Sequence, residues 1–354
     1  MDKVCVLGDI HIAVRNSSLV FHKQLDLFAN DVLIPYLKEN NIDTVFQLGD
    51  LFDTRKSINF LSLYEARKCF FDKLKENNIK LHTLVGNHDI YFRETLEVNS
   101  SSLLLKEYDN ITVYDKPTTI DFNGISIDII PWICAENRAV VNKMIQESSS
   151  KLCIGHFEFA NFPMYKGVES HGGIVLDDFY KKYDLILTGH FHTQSNNGNV
   201  HYTGIPYEMT WSDYNDQKGF HVLDIKTLNR EFIPNPHKVF ARIEYDDSNT
   251  DYTKESTSQY SGKYVKVIVI NKKDLYAYDT FMKRLYSAGC NDIKVMEDLS
   301  EYQDGIIDEK IDLTDTRVIM SNYVDSIESK CDKQKIKNLL SGLFNEAINV
   351  SDKG

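Results

Sequence analysis

Five times along the chain an apolar run ends in a glycine that is followed at once by a residue able to bind a cation. The runs are VCVLGD ending at Asp9, TVFQLGD at Asp50, LHTLVGN at Asn87, KLCIGH at His156 and LILTGH at His190. Each is short and rich in valine, isoleucine or leucine, as strands covered on both faces are. Segments with helical apolar spacing separate the first three: Leu25, Phe28, Leu33 and Leu37 within 19–39, then Leu63, Ala66, Phe70 and Leu74 within 60–77. Strands alternating with helices predict an α/β layered fold. In such folds ligands gather beyond the carboxyl ends of strands, where glycine lets the chain turn sharply and approach a ligand closely. The loops would therefore deliver Asp9, Asp50, Asn87, His156 and His190 to one rim. His11 and His192 lie two residues beyond Asp9 and His190, and reach the same side if the chain stays extended. Any single Gly-Asp or Gly-Asn pair reads as a turn; the repetition predicts a shared metal site.

The inventory is two carboxylates, one amide and four imidazoles. It suits two cations sharing one carboxylate, with positions left open for water and substrate. Nitrogen ligands favour manganese, iron or zinc over magnesium and calcium, which prefer oxygen. Paired cations ~3.5–4 Å apart clamp the attacking and leaving oxygens of a phosphoryl displacement and make hydroxide available near neutral pH. His88 follows Asn87 directly and points elsewhere, so it is placed as a proton donor or phosphate contact. Asp89 orients His88 or fixes the loop. Asp53 either holds a ligand histidine by a hydrogen bond or stabilises a turn.

Composition narrows the class. A net charge of −12 argues against a strongly basic nucleic-acid binder acting alone, but leaves room for a nuclease whose carboxylates bind metal and whose partner lends basic surface. The six cysteines form no CxxC pair, so they read as free thiols of a reducing cytoplasm. No run approaches the ~18 apolar residues of a membrane span, and the run from Val4 to Leu7 is too short for a secretion signal.

In the later chain the grammar changes. NGISIDIIPWI, GNVHYTGIPYEMTW, KGFHVLDI and REFIPNP read as further strands covering an edge or a second sheet, and Pro234 and Pro236 mark a boundary. GKYVKVIVINKKD, a helix near 278–287 and NDIKVME predict a small β-α-β unit. An acidic stretch, 297–315, follows as a solvated linker. Three segments result: a catalytic domain over 1–236, a cap over 237–298, and a linker with two C-terminal helices over 299–354.

The motifs DxH (Asp9, His11), GDxxD (Asp50, Asp53), GNHD (Gly86 to Asp89), GH (His156) and GHxH (Gly189 to His192) occur in the order of the calcineurin-like metallophosphoesterase superfamily, which the chain resembles over roughly its first 200 residues. GDLFDTRK departs from the GDxxDRG of the serine/threonine phosphatases. With TLVGNHDIYFR and GHFH it is similar to the SbcD-type recombination nucleases. YDKPTTIDFNGISIDIIPWICAEN, YKGVESHG and FIPN look closest to the members of that group from T-even-like bacteriophages. The resemblance implies a layered β-sandwich core flanked by helices. One cation would be held by Asp9, His11, Asp50 and His192, the other by Asp50, Asn87, His156 and His190, with Asp50 bridging and His88 assisting catalysis. It further implies manganese-dependent cleavage of DNA phosphodiesters, exonucleolytic on duplex ends and endonucleolytic on single strands, with magnesium weaker. The implied partner is a coiled-coil, SMC-like ATPase in a 2:2 complex, with the site in a host cytoplasm for a phage protein. A phosphatase or small-molecule phosphodiesterase of the same fold is the alternative.

Arg55, Lys56 and Arg93 adjoin the ligand loops and could meet the DNA backbone; His171 reads as a substrate-loop residue or a structural turn. At the C-terminus Ile336, Leu339, Leu340, Leu343, Phe344, Ala347 and Ile348 form one apolar helix stripe. Paired with a segment carrying Val318, Ile319, Tyr323, Val324 and Ile327, it predicts a helical hairpin that docks on the ATPase.

Overall fold

The computed structural model describes residues 2–165, 168–170, 173 and 177–297, together with 324, 333 and 335–337. In chain order the strands are β1 (Lys3–Leu7), β2 (Thr44–Gln47), β3 (Lys80–Leu84), β4 (Ile111–Tyr114), β5 (Thr118–Phe122), β6 (Ile125–Ile130) and β7 (Leu152–His156). A short ribbon, β8 (Pro163–Tyr165) and β9 (Val168–Glu169), precedes β10 (Leu185–Gly189), β11 (Ser195–Asn197) and β12 (Val200–Tyr202). Then come β13 (Gly219–Asp224), β14 (Arg230–Pro234), β15 (Phe240–Asp246), β16 (Tyr264–Asn271) and β17 (Asp292–Met296).

Two six-stranded sheets carry the architecture, in the orders β14-β13-β1-β2-β3-β4 and β11-β12-β10-β7-β6-β5. Strands β1 to β4 run parallel, as do β6, β7, β10 and β12, while β13, β14, β5 and β11 are antiparallel additions. Side chains alternate across a strand, and the apolar runs use both faces. Val4, Val6, Leu48, Leu84, Ile154, Leu187 and Leu223 fill the space between the sheets. Cys5, Leu7, Val45 and Leu81 face outward onto Phe28, Leu33, Leu37, Phe70 and Leu74 of the helical segments 19–39 and 60–76. On the far side, Cys153 and Ile186 meet Val141, Ile145 and Phe179. The order of layers is helix, sheet, sheet, helix, the mixed α/β arrangement expected. Each long helix also carries a π-helical segment, Phe28–Leu33 and Arg67–Phe71, that apolar spacing does not reveal.

The later strands complete the sandwich. Strands β13 and β14 extend the first sheet and β11 and β12 the second. A third sheet, β15-β16-β17, carries the helix Leu275–Ser287, capped by Asp274 accepting from the N–H groups of Tyr276 and Ala277. Strand β15 lies parallel to β16 and adds an element to the β-α-β unit read from sequence. Buried Glu208 accepts from the N–H groups of Val239 and Phe240, which fixes the entry to this sheet.

Residues 1–295 form one compact unit and 296–354 a second. In the second, position 336 is helical and half-buried; Leu339, Leu340, Leu343, Phe344 and most of the expected hairpin and acidic linker lie outside the described residues, as does His171. Among the described residues no helix is long and apolar enough to cross a membrane, and Cys5, Cys69, Cys134, Cys153 and Cys290 are free thiols.

Candidate metal centre

Parallel strands in both sheets bring their carboxyl ends to one rim. From the first sheet, β1, β2 and β3 lead into Asp9, Asp50 and Asn87; from the second, β7 ends at His156 and β10 leads into His190. Backbone bonds fasten the first two loops together: the N–H groups of Ile10 and His11 donate to the Asp50 carbonyl at 3.1 and 3.0 Å. Asp9, His11, Asp50, Asn87 and His156 are buried, and His190 and His192 are partly so.

The side chains form two groups around Asp50. Asp9, His11 and His192 converge on one side, and Asp50, His156 and His190 on the other. In the first group the Nε2 atoms of His11 and His192 stand 3.1 Å apart, and His11 Nε2 lies 4.0 Å from Asp9 Oδ2 and 3.9 Å from Asp50 Oδ2. In the second, Asn87 Oδ1 lies 2.9 Å from both His156 Nε2 and His190 Nδ1, while Asp50 Oδ2 is 3.4 Å from His156 Nε2. Nitrogen and oxygen lone pairs facing one another across a buried space suit a cation, which relieves their mutual repulsion and needs such a mixed donor set. The residues fit a pair of cations.

Close approach depends on missing side chains. A Cβ on Gly86 would lie 2.2 Å from both the N and Oδ1 of Asp50, and one on Gly189 would lie 2.3 Å from Asp9 Oδ1. His11, Asp50 and His190 themselves adopt left-handed backbone, with φ of 49°, 49° and 94°. The extended chain anticipated at His11 is thus a left-handed turn, which still brings its imidazole to the rim. Such conformations cost ~1–3 kcal/mol each and persist where surrounding bonds over-determine them. His190 has such bonds: its N–H donates to both oxygens of Asp9, at 3.1 and 3.0 Å.

Burial and charge act against each other here. Burial favours neutral imidazole at His11 and His156, but nearby carboxylates outweigh it and raise both to about 9: Asp53, Asp50 and Asp9 act on His11, Asp50 and Asp9 on His156. His190 and His192 fall to about 3, through burial first and then the charges of His156 and His11 respectively. Burial raises the Asp9 carboxyl to about 7, with Asp50 adding to the shift against His156 and His11. Burial also opposes charge on Asp50, but His156, His88 and His11 hold it well below the usual carboxylate range.

A second set of residues sets the loops. Asp53 Oδ1 lies 3.2 Å from His11 Nδ1. Asp89 is fully buried and accepts from the N–H groups of Leu51, Phe52 and Gly86; it binds the loops after β2 and β3 rather than His88. His88 is anchored separately, its N–H donating to Asp50 Oδ1 at 2.7 Å and its Nδ1 lying 2.7 Å from the Asp53 carbonyl oxygen. Lys56 sits over the Tyr91 ring at 5.9 Å, between these same loops. Lys56 and Arg93 are exposed and Arg55 is half-buried.

Several participants are not apparent from the motifs. Buried Gln47 donates to the carbonyls of Gly8 and Gly49 and accepts from Thr83 Oγ1 and the Gly49 N–H; its only signal is a polar residue inside an apolar run. Buried Lys218 pairs with Asp213 and Asp216 at 2.8 Å each and donates to the His192 carbonyl at 2.9 Å. The Trp132 ring packs against His156 and His190, with centroids 5.9 and 5.3 Å away. Glu158 lies 3.9 Å from His190 Nε2.

Comparison with known proteins follows the same residues. The sequence signature of the calcineurin-like phosphoesterases matches residues 2–194. Over 336 residues, 94% of this chain and 95% of the relative, the sequence is 35% identical to exonuclease subunit 1 of Enterobacteria phage T4. It is 29% identical to the DNA double-strand break repair protein Mre11 of Methanocaldococcus jannaschii, covering 62% of this chain and 61% of the relative. It is 23% identical to a component of the nuclease SbcCD of Staphylococcus epidermidis, covering 86% of this chain and 89% of the relative.

Proposed function

The chain belongs to the calcineurin-like phosphoesterase family, and on that premise we propose that it is a metal-dependent nuclease that hydrolyses DNA phosphodiester bonds as one subunit of a recombination or repair complex. The observation that carries the reading is the position of Asp50 between two donor groups, its Oδ2 3.9 Å from His11 Nε2 and 3.4 Å from His156 Nε2. One carboxylate facing both donor groups could hold two cations close together, as the ~3.5–4 Å spacing of two-metal phosphodiester hydrolysis needs.

Asp9, His11, Asp50 and His192 would hold one cation, and Asp50, Asn87, His156 and His190 the other; manganese fits this nitrogen-rich set better than magnesium. When bound, the pair supplies Lewis-acid polarisation of phosphoryl oxygens and lowers the pKa of water. His88 contributes a proton site. In the tautomer that donates Nδ1–H to the Asp53 carbonyl, Nε2 is the nitrogen left to take or deliver a proton at the leaving 3′ oxygen or to bind the phosphate. Its main chain is tied to Asp50, so proton site and bridging carboxylate keep a fixed separation. Asp53 orients His11, and Asp89 locks two of the ligand loops. Arg55, Lys56 and Arg93 would contact the DNA backbone. The cap over 237–298 borders the catalytic segment 1–236. The segment 299–354, with its stripe from Ile336 to Phe344, is the docking element for a coiled-coil ATPase in a 2:2 assembly.

Chelated protein reloaded with Mn²⁺ or Mg²⁺ and assayed on labelled single strands, duplex ends and a phosphomonoester tests this. Manganese-supported DNA cleavage with little phosphomonoester turnover is expected. Phosphomonoester hydrolysis that leaves DNA intact would overturn the reading in favour of a phosphatase.

A further inference from the structure

At the edge of the sandwich, beside the loop that carries His192, strands β11 to β14 of the two sheets line a second polar site. Along β13, Leu223 faces the inter-sheet core, so His221, two residues before it, shares that face. Register then places Phe232 beside His221 and Arg230 beside Leu223 on the antiparallel partner. On β12, Val200 and Tyr202 join the outer core, which turns His201 inward. These side chains, with Gln194 and Ser195, line a pocket of about 230 Å³.

Three features of the pocket point to one kind of ligand. Its cationic group is Arg230, which is half-buried and has an Nη2 donating to His201 Nδ1 at 2.9 Å. Among the described residues no carboxylate forms an ion pair with it. The charge felt by His201 is that of Arg230, and those felt by His221 are Arg230's and His201's. Polar atoms lack partners as well: His221 is 8% exposed, and neither its Nε2 nor the buried Ser195 hydroxyl has a hydrogen-bond partner. A desolvated guanidinium without a counter-ion, and a buried hydroxyl without an acceptor, each carry a free-energy cost that an anion removes, and a protonated phosphate oxygen can donate to an unpartnered ring nitrogen. A guanidinium also matches the planar pair of oxygens that phosphate presents. The volume is below that of pockets for drug-sized ligands, about 300 Å³ upward, and suits a single oxyanion.

We propose that Arg230, His201, His221 and Ser195 form a binding site for one phosphate group, either inorganic phosphate or a phosphate carried on a DNA strand. Burial, and then the charge of Arg230, hold both imidazoles down at about 4, so near neutral pH both are neutral and the charge of the pocket is that of Arg230. The pocket also adjoins the metal rim. Gln194 is two residues beyond His192, and its Nε2 donates to the Gln217 carbonyl, next to the Lys218 that holds the His192 carbonyl. Occupancy therefore braces the loop that carries His192.

The test is calorimetric titration of chelated full-length protein with inorganic phosphate, against chloride as control, with ¹⁵N-histidine spectra of the same samples. The expected results are binding at millimolar phosphate with a shift of the His221 ring nitrogens, and affinity weaker by about tenfold or more in Arg230→Met and in His221→Leu, as loss of one charge-assisted hydrogen bond costs. Unchanged manganese binding confirms that the variants fold, and the wild-type spectra decide the matter if they do not. Displacement of phosphate by a 5′-phosphorylated oligonucleotide, but not by its unphosphorylated form, would assign the site to a strand end. Displacement by both would assign it to the strand backbone, and by neither to free phosphate. No phosphate binding in the wild type, or equal binding in both variants with His221 unmoved, would overturn the proposal. Because the readout is binding without metal or turnover, failure here leaves the nuclease reading untouched, and failure of that reading leaves this one.

Discussion

Replacing Gly86 with alanine adds one methyl group where the loop after β3 meets Asp50. The new Cβ would stand 2.2 Å from the N and Oδ1 of Asp50, where ordinary contact needs 3.4 Å, so the loops after β2 and β3 must separate by roughly 1 Å. Neither can yield alone. Asp89 ties Gly86 to Leu51 and Phe52, and the His88 N–H is bonded to Asp50 Oδ1 at 2.7 Å. The displacement falls on the one carboxylate that faces both donor groups. A misplacement of about 1 Å in a catalytic constellation costs on the order of 10²-fold in rate, and overpacking a core by a methyl costs ~1–3 kcal/mol of stability. Gly86→Ala should therefore cut manganese-dependent cleavage of single strands about a hundredfold, weaken manganese binding, and lower Tm by a few degrees. Cleavage and calorimetry on the same preparation read these effects. Cleavage within threefold of wild type at unchanged Tm would refute the argument that Gly86 holds the bridging position of Asp50.

His88→Gln should leave manganese stoichiometry intact and lower turnover by ~10²–10⁴-fold, the usual worth of general acid–base help; loss of metal in this variant would make His88 a ligand. In chelated protein, His11 and His156 are raised to about 9, so their contribution to stability is full below pH ~6.5 and is lost as pH rises through 9. Tm of the chelated form should fall across that interval. Manganese affinity should instead rise, tenfold per pH unit for each proton displaced; parallel slopes in a calorimetric and thermal-melt series would contradict the ligand roles of these histidines. Deleting 316–354 should spare cleavage of short single strands while abolishing association with the proposed ATPase partner, and co-elution of the truncated chain with that partner at micromolar concentration would remove the docking role from this segment.

The rim was legible because its logic is local. A glycine closing an apolar run marks a strand end whichever sheet the strand joins, so Asp9, Asp50, Asn87, His156 and His190 could be named together. Their division between two sheets was not legible, since pairing depends on contacts such as β1 with β13, from Lys3–Asp224 to Val6–His221. Gln47 and Lys218 stayed hidden for the same reason. Their partners are backbone carbonyls brought close only in the folded chain, and a polar residue in a strand or turn gives no sign of them. Left-handed backbone at His11, Asp50 and His190 is uncommon even for Asp and His, which adopt it more often than other non-glycine residues, so the residue type alone did not announce it. The β-α-β unit was legible by its alternation, but β15 was not, because FARIEYD mixes charged and apolar residues on a half-covered strand.

Asp50 is proposed to serve two cations at once. Crystals of the full chain soaked in Mn²⁺ and measured at the manganese absorption edge test it directly. Two anomalous peaks are expected, one among Asp9, His11 and His192 and one among Asn87, His156 and His190, with the Asp50 carboxylate contacting both. A single peak, or two peaks of which one lies out of reach of Asp50, would contradict it.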